Sequence, residues 1–266
     1  MGKVIFVSAG PGAADLITLR GARALAQAEV VLFDALTDPA LRELAPQARW
    51  VDVGKRGFCH STRQTAINAI LVREAQQHGV VVRLKGGDAS VLGRLEEELQ
   101  ALSGADIAWE VVPGVTAALA AAAQTGRPLT RRGQGRSVSL TTAMTQEGEL
   151  RASRTADTEV FYMAGRQLAA LSRRLLQAGW PVGTPVSVVS RAGCPDALSS
   201  EHQVQDLAAA AMLHRGRPTV VVVGAGAAPV PSAATQAPAA TTEPSQGKTQ
   251  IPGIDAFEPV AQTLND

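Results

Sequence analysis

The amino-acid sequence predicts an α/β protein made of two α/β domains, and the pattern of apolar residues supports this in two ways. Short runs rich in β-branched residues alternate with segments of helical period up to about residue 227. In the first half of the chain, most of these runs are apolar throughout, as expected for a parallel sheet covered by helices on both faces. Hydrophobic residues make up 45% of the 266 residues, enough for a buried core.

The first half of the chain contains five predicted strands and three predicted helices. The strands are expected at 3–8, 30–33, 50–53, 80–84 and 108–112, and the helices at 15–28, 62–78 and 94–103. The first helix, for example, has Leu16, Leu19, Ala22 and Leu25 at helical spacing. Pro113-Gly114 follows the fifth strand and marks the predicted end of an N-terminal domain, 1–114.

A second alternation predicts a C-terminal α/β domain over 115–227. Its elements are an alanine-rich helix at 116–124, a helix at 166–178, and strands at 136–142, 158–163, 185–190 and 218–223. The composition then changes to Ala, Pro, Thr and Ser, which cannot bury enough apolar surface to offset the entropy lost on ordering. Residues 228–266 are therefore predicted to be a disordered Ala/Pro-rich tail.

Composition excludes several classes of function. The net charge is +1 and aromatic residues are 3% of the chain, which argues against nucleic acid and against a membrane surface as partners. Two cysteines rule out a disulfide scaffold, and the four histidines lack metal-ligand spacing, so no metal site is predicted. No secretory signal and no run of about 18 apolar residues are found, so we expect a cytoplasmic protein.

The first candidate loop, Gly10-Pro11-Gly12, follows the first strand at the edge where open parallel sheets bind ligands. A dinucleotide fingerprint needs a third glycine and free backbone donors for the pyrophosphate. Here Asp15 occupies that third position and Pro11 lacks an N–H. The loop therefore favours close approach to an uncharged or cationic ligand over NAD.

Two further loops follow later strands. In Lys85-Gly86-Gly87-Asp88, the paired glycines allow a ligand to lie against the backbone, and Asp88 either holds ribose hydroxyls or a cation, or caps a tight turn. Gly54-Lys55-Arg56-Gly57 follows the third strand. Asp34, which ends the second strand, is a candidate ribose ligand, a proton-handling partner of Lys55, or a member of a surface ion pair.

A basic stretch at the start of the second domain contains Arg127, Arg131, Arg132 and Arg136. Arginine offers a planar fork that matches carboxylates. With few aromatic residues in the chain, a small polycarboxylate suits this stretch better than nucleic acid does, and a solvated loop is the alternative.

Taken together, the loops resemble those of the tetrapyrrole (corrin/porphyrin) methylase family. The resemblance is colinear from residue 3 to about 225 and leaves the tail outside. The stretches that carry it are Ala9-Gly10-Pro11-Gly12, Leu16-Ile17-Thr18-Leu19-Arg20-Gly21, Val31-Leu32-Phe33-Asp34, Gly54-Lys55-Arg56, Val82-Arg83-Leu84-Lys85-Gly86-Gly87-Asp88, Val111-Val112-Pro113-Gly114-Val115-Thr116-Ala117 and Gly126-Arg127-Pro128-Leu129-Thr130.

The resemblance implies a homodimer that binds S-adenosylmethionine in the cleft between its two α/β domains. It implies transfer of two methyl groups to uroporphyrinogen III, which gives precorrin-2, the precursor of sirohaem and cobalamin. Asp34 would be the proton acceptor and Lys55 the proton donor, and Arg56, Arg131 and Arg132 would meet the carboxylates of the substrate. The implied contacts to the methyl donor are Pro11, Gly86, Gly87, Asp88, Val91, Thr116, Ala117, Met163 and Ala192.

The chain departs from the family pattern near the cleft. After Asp88 the family has Pro-Phe, an apolar residue and Phe-Gly-Arg-Gly-Gly, whereas this chain has Ala89-Ser90-Val91-Leu92-Gly93-Arg94-Leu95-Glu96. A Thr-Gly-His of the family is replaced by Thr142-Ala143-Met144. These changes keep two alternatives open: a methylase of another tetrapyrrole intermediate, and a non-catalytic paralogue that binds a tetrapyrrole or S-adenosylmethionine.

Overall fold

Two five-stranded sheets, each packed against helices, form the part of the chain that the structure describes. The structure is a computed structural model that describes residues 2–34, 36–54, 64–144 and 149–230. The mixed α/β fold class is therefore confirmed. Within these ranges, the structure contains no helix long and apolar enough to cross a membrane.

The first sheet is entirely parallel, with strand order β3-β2-β4-β1-β5. Its strands are β1 (Lys3–Ser8), β2 (Val30–Phe33), β3 (Arg49–Asp52), β4 (Val80–Lys85) and β5 (Ala108–Val112), and its helices are α1 (Leu19–Ala26), α2 (Gln64–Gln77) and α3 (Leu95–Gly104). Separate apolar clusters fill its two faces, one around Leu25 and Leu41 and the other around Phe6 and Leu71. This is the doubly covered parallel sheet that the continuous apolar runs predict.

The first predicted helix begins later than expected. Residues 14–16 form one turn of 3-10 helix, and α1 begins at Leu19 after Thr18, whose hydroxyl oxygen accepts a hydrogen bond from the Gly21 N–H at 3.1 Å. Thr18 thus caps the helix. Leu19, which the periodicity placed in the core, is exposed.

The second sheet is mixed, with strand order β6-β7-β10-β8-β9. Its strands are β6 (Val138–Thr142), β7 (Thr158–Tyr162), β8 (Pro185–Ser190), β9 (Leu198–Gln203) and β10 (Thr219–Gly224), and its helices are α4 (Ala117–Thr125) and α5 (Leu168–Gln177). Strand β6 runs parallel to β7, whereas β10 is antiparallel to both β7 and β8. The sequence analysis missed β9 because this edge strand is mostly polar.

The predicted limit at 114 lies between the last strand of the first sheet and the first helix of the second half. Strand β5 ends at Val112 and α4 begins at Ala117, so the change of sheet occurs between them. The limits at 114 and 227 stay predictions. Of the predicted tail, the structure describes only residues 228–230, and residues 231–266 lie outside the described ranges.

Close backbone contacts fix the loops that follow the central strands of the first sheet. The Ser8 hydroxyl accepts a hydrogen bond from the Ala89 N–H at 3.0 Å, which ties the ends of β1 and β4 together. Gly114 lies against the same serine: a Cβ atom at position 114 would be 2.5 Å from the Ser8 Cβ. Only glycine fits there without moving backbone.

We expect Gly114→Ala to lower the free energy of unfolding by about 1–3 kcal/mol, the usual cost of overpacking. The matched control is Gly104→Ala at the end of α3, where a Cβ would meet nothing within 4 Å. That change should be neutral or stabilising, because alanine is the better helix former. Urea unfolding of both variants measures the difference, and equal stabilities would contradict the close contact.

A buried histidine supports the end of β8. His214 is fully buried, and its Nδ1 lies 2.9 Å from the Ser190 hydroxyl oxygen. Its Nε2 lies 2.9 Å from the Ser200 hydroxyl oxygen, which is itself 2.7 Å from His202 Nε2. Burial lowers the pKa of His214, and the charges of His202 and Arg217 lower it further.

The lowered pKa of His214 predicts a pH-dependent stability. Between the folded-state pKa and the ordinary value of 6.5, the unfolded chain binds more protons than the folded chain. The free energy of unfolding should therefore fall as the pH drops from 6.5 through the folded-state pKa of this histidine. Urea unfolding of His214→Gln should show a flatter pH dependence in this window, and identical curves for the variant and the wild type would refute the assignment.

Candidate functional site

A cavity of about 450 Å³ lies between the loops of the two sheets. Its walls include the segments that follow β1, β2, β4 and β5 in the first sheet and β7 and β8 in the second. The carboxyl ends of parallel strands are where open α/β sheets bind ligands, and the second sheet closes that edge. The walls are mostly apolar and carry polar side chains from both sheets, among them Asp34 and Tyr162.

The structure brings most of the predicted site residues to this cavity. Asp34 lines it, as do all nine residues expected at the methyl donor: Pro11, Gly86, Gly87, Asp88, Val91, Thr116, Ala117, Met163 and Ala192. Lys55 and Arg56 lie outside the described residues. Arg132 is exposed and Arg131 donates to the carbonyls of Ala228 and Pro229, so neither lines the cavity.

In the first glycine loop, the Gly10 N–H is already hydrogen-bonded within the protein. Gly10 and Gly87 exchange two hydrogen bonds, with the Gly10 N–H 3.1 Å from the Gly87 carbonyl oxygen and the Gly87 N–H 2.6 Å from the Gly10 carbonyl oxygen. A phosphate nest needs such N–H groups to be free. This geometry supports the interpretation that the loop does not hold a dinucleotide.

Asp88 is held by two backbone groups. Its Oδ1 accepts from the Ser90 N–H at 2.8 Å, and its Oδ2 accepts from the Gly114 N–H at 2.8 Å. The capping role that the sequence analysis left open is therefore present, and the residue also borders the cavity. Beside it, Gly87 has φ +69°, and a Cβ there would meet nothing within 4 Å, so this wall leaves room for a ligand.

The wall from the second sheet meets the first loop directly. The Ala13 N–H donates to the Gly193 carbonyl at 2.9 Å, and a Cβ at Gly193 would come within 3.0 Å of the Pro11 ring. On the same wall, the hydroxyl oxygens of Thr116 and Tyr162 are 2.7 Å apart. Burial raises the pKa of Tyr162, so its phenol stays protonated at neutral pH.

A buried charge cluster, consisting of Arg83, Lys85, Glu98 and Asp34, borders the cavity: all of its members except Glu98 line the wall. Arg83 on β4 is 2% exposed, and its Nη2 donates to Asp34 Oδ1 at 2.7 Å and to Glu98 Oε1 at 3.2 Å. Lys85 Nζ lies 3.1 Å from both carboxylate oxygens of Glu98. The sequence analysis missed the roles of Arg83, Lys85 and Glu98.

The two cations of the cluster respond differently to their surroundings. Burial disfavours the charge of Arg83, but the charges and hydrogen bonds of Asp34 and Glu98 outweigh it and raise the pKa of the guanidinium. Burial and the charge of Arg83 lower the pKa of Lys85, against the opposing effect of Glu98. The sequence contains one indication of this cluster, which is the spacing of its two cations. Arg83 and Lys85 are two residues apart on a strand, and residues with that spacing share a face.

Comparison with known proteins identifies the family. The family model for tetrapyrrole (corrin/porphyrin) methylases matches residues 3–208.

The chain belongs to this family.

Relatives and solved structures agree with this assignment. A uroporphyrinogen-III C-methyltransferase of Pseudomonas aeruginosa is 45% identical over 195 residues, which cover 72% of this chain and 80% of that protein. A uroporphyrin-III C-methyltransferase of Thermus thermophilus, solved with S-adenosylhomocysteine, is 34% identical, with TM-score 0.74. That match covers 84% of this chain and 97% of the Thermus chain.

A longer relative shares only one part with this chain. Siroheme synthase 2 of Serratia proteamaculans is 40% identical over 228 residues, which cover 84% of this chain and 49% of that protein. The chain therefore spans about half the length of this tetrapyrrole methylase relative.

Asp88→Asn should weaken both the fold and ligand binding. Asparagine keeps one side-chain oxygen acceptor, so one of the two backbone N–H groups loses its partner, at a cost of about 1–3 kcal/mol. The control is Asp106→Asn, at an exposed position with φ +55° that asparagine tolerates. Thermal unfolding and calorimetry with S-adenosylhomocysteine measure the two effects, and equal behaviour of both variants would contradict the bridging role of Asp88.

Proposed function

We propose that this protein is an S-adenosylmethionine-dependent C-methyltransferase that adds two methyl groups to uroporphyrinogen III and yields precorrin-2. One observation carries the proposal: residues from separate loops, each expected at the methyl donor, line a single cavity together with Asp34. The identities to the Pseudomonas enzyme and to the Thermus enzyme with its bound S-adenosylhomocysteine support it. By this reaction, the protein would serve sirohaem and cobalamin synthesis.

The residues of the cavity fit this donor. Its adenosine and methionine parts need close backbone approach, which Gly86, Gly87 and the small side chains of Ala117 and Ala192 allow. A sulfonium needs no phosphate nest, and the first loop is poorly suited to form one, because the Gly10 N–H is bound to Gly87 and Pro11 has no N–H. Apolar residues such as Val91 keep water from the reacting atoms.

Each methyl transfer requires the protein to align the two reactants and to accept one proton. S-adenosylmethionine supplies the methyl group, and the electron pair of its broken C–S bond stays on sulfur. A pyrrole carbon of the macrocycle forms the new C–C bond, which leaves one positive charge on the ring. The cavity walls would hold the donor and the macrocycle so that the methyl group can pass directly from one to the other. A ring-bridging carbon then loses a proton, and the C–H electron pair neutralises the ring.

We assign that proton to Asp34. Its Oδ1 is held by Arg83, and among the described residues its Oδ2 has no hydrogen-bond partner. The side chain is 32% exposed and lines the cavity, so this oxygen is available to a ligand. Lys55 is proposed as the proton donor, on the basis of the family resemblance.

The substrate carries acidic side chains, and arginines are the natural partners. Arg94 and Arg191 line the cavity from its two sides, so we add them to Arg56 and Arg132 as candidates. The guanidinium of Arg131 is bound to backbone carbonyls, which makes it the least suited. We also propose that the protein is a homodimer and that it is cytoplasmic. Light scattering of the purified protein tests the homodimer.

An anaerobic assay with uroporphyrinogen III and S-adenosylmethionine, read by product mass, tests the function. We expect two added methyl groups. Turnover only on later precorrins would indicate a methylase of another tetrapyrrole intermediate. The departure of residues 89–95 from the family pattern is the reason for testing this alternative. A folded protein that binds S-adenosylhomocysteine without turnover of any tetrapyrrole would overturn the enzymatic proposal in favour of a binding role.

Asp34→Ala should leave the affinity for S-adenosylmethionine within about threefold of wild type and lower kcat by about 10²-fold or more, the usual contribution of a general base. Asp34→Asn, which keeps the side-chain volume, should lose kcat to a similar extent. Calorimetry and the methylation assay measure the two quantities. A large loss of donor affinity with little change in kcat would instead place Asp34 on the donor ribose.

A further inference from the structure

Glu98 is the more deeply buried of the two carboxylates of the charge cluster, and it lies behind the cavity wall. It is 0% exposed on α3, and its Oε1 accepts from Arg83, from Lys85 and from the Gln64 amide at 3.1 Å. One carboxylate thus accepts hydrogen bonds from side chains of both α2 and β4. It is absent from the residues that line the cavity, so it acts through its neighbours.

Arg83 connects this buried carboxylate to the cavity. The same Nη2 atom that lies 3.2 Å from Glu98 Oε1 lies 2.7 Å from Asp34 Oδ1. Its Nη1 donates to the Leu84 carbonyl at 3.1 Å, so the plane of the guanidinium is fixed by the backbone as well. Because the guanidinium is rigid and planar, holding one edge determines the position of the other.

Glu98 also balances charge where water does not reach. Arg83 and Lys85 are both nearly fully buried and repel one another. Buried cations need a paired carboxylate, and Glu98 contacts both of them. Without its negative charge, the full attraction of Arg83 and Lys85 would fall on Asp34 and move its carboxylate from the position the cavity requires.

We infer that Glu98 is a positioning residue for the proton-removal step: through Arg83 it holds the Asp34 carboxylate at the cavity wall, with Oδ2 directed to the methylated macrocycle. This inference rests on the proposed function and adds to it a residue that does not touch the substrate. The proton passes from a bridging carbon to Asp34, and Glu98 neither gains nor loses one.

The test compares Glu98→Gln with Glu96→Gln, the same change on the same helix at an exposed glutamate that accepts only a 3.3 Å hydrogen bond from Gln100 among the described residues. Glu98→Gln should lower kcat about tenfold or more, with KM and Kd for S-adenosylmethionine within about threefold of wild type. It should also enlarge the kinetic isotope effect measured with uroporphyrinogen III deuterated at its bridging carbons. Glu96→Gln should match wild type in all four quantities.

A double-mutant cycle separates positioning from general destabilisation. In an Asp34→Asn background, Glu98→Gln should cause no further loss of kcat, because the group it positions is gone. An additive loss, an unchanged isotope effect, or a loss confined to donor affinity would overturn the inference. If Glu98→Gln does not fold, Arg83→Lys carries the test, since it keeps the cation but not the fork, and the same kcat and isotope-effect changes are expected.

The experiments distinguish a failure of the proposed function from a failure of this inference. A wild-type protein that methylates no tetrapyrrole would overturn the function itself. A wild-type protein that does methylate, together with a Glu98→Gln variant of unchanged kcat, would overturn the positioning role of Glu98 alone.

Discussion

The pairing of buried charge on β4 constrains both the first sheet and the cavity. Arg83 and Lys85 lie at the carboxyl end of a central strand, where solvent does not reach them. Leaving a buried charge without its partner costs about 3–5 kcal/mol, so the carboxylates of Glu98 and Asp34 must meet these cations. That requirement docks α3 against β4 and brings the end of β2 to the same place. Two of the loops that border the cavity begin at these strand ends.

The location of the site follows from the sequence because it depends on local signals and one topological rule. Glycine-containing loops after apolar strands mark where backbone allows close approach, and parallel strands place such loops at one edge. Pro11 and Asp88 were found in this way and line the cavity. The roles of Thr116, Met163 and Ala192 came from the family resemblance, since nothing in their local pattern distinguishes them from core or turn residues.

The remaining features depend on contacts between distant segments. Glu98 ends a run of three glutamates in the first turn of α3, a pattern typical of a solvated helix N-terminus, and only the docking of α3 on β4 shows that it is buried. Strand β9 is polar because it forms a sheet edge, so apolar periodicity does not reveal it. Arg131 faces the carbonyls of Ala228 and Pro229 rather than the cavity, a contact across almost a hundred residues of sequence.

A crystal structure of the protein with S-adenosylhomocysteine tests the location and orientation of the site most directly. We expect the ligand in the cavity, against the backbone of Gly86 and Gly87 and beside Ala192, with the Asp34 carboxylate facing the open space next to the sulfur. A ligand bound outside this cavity would contradict the assigned site. A ligand in the cavity with its ribose on Asp34 would contradict the assignment of Asp34 as the base.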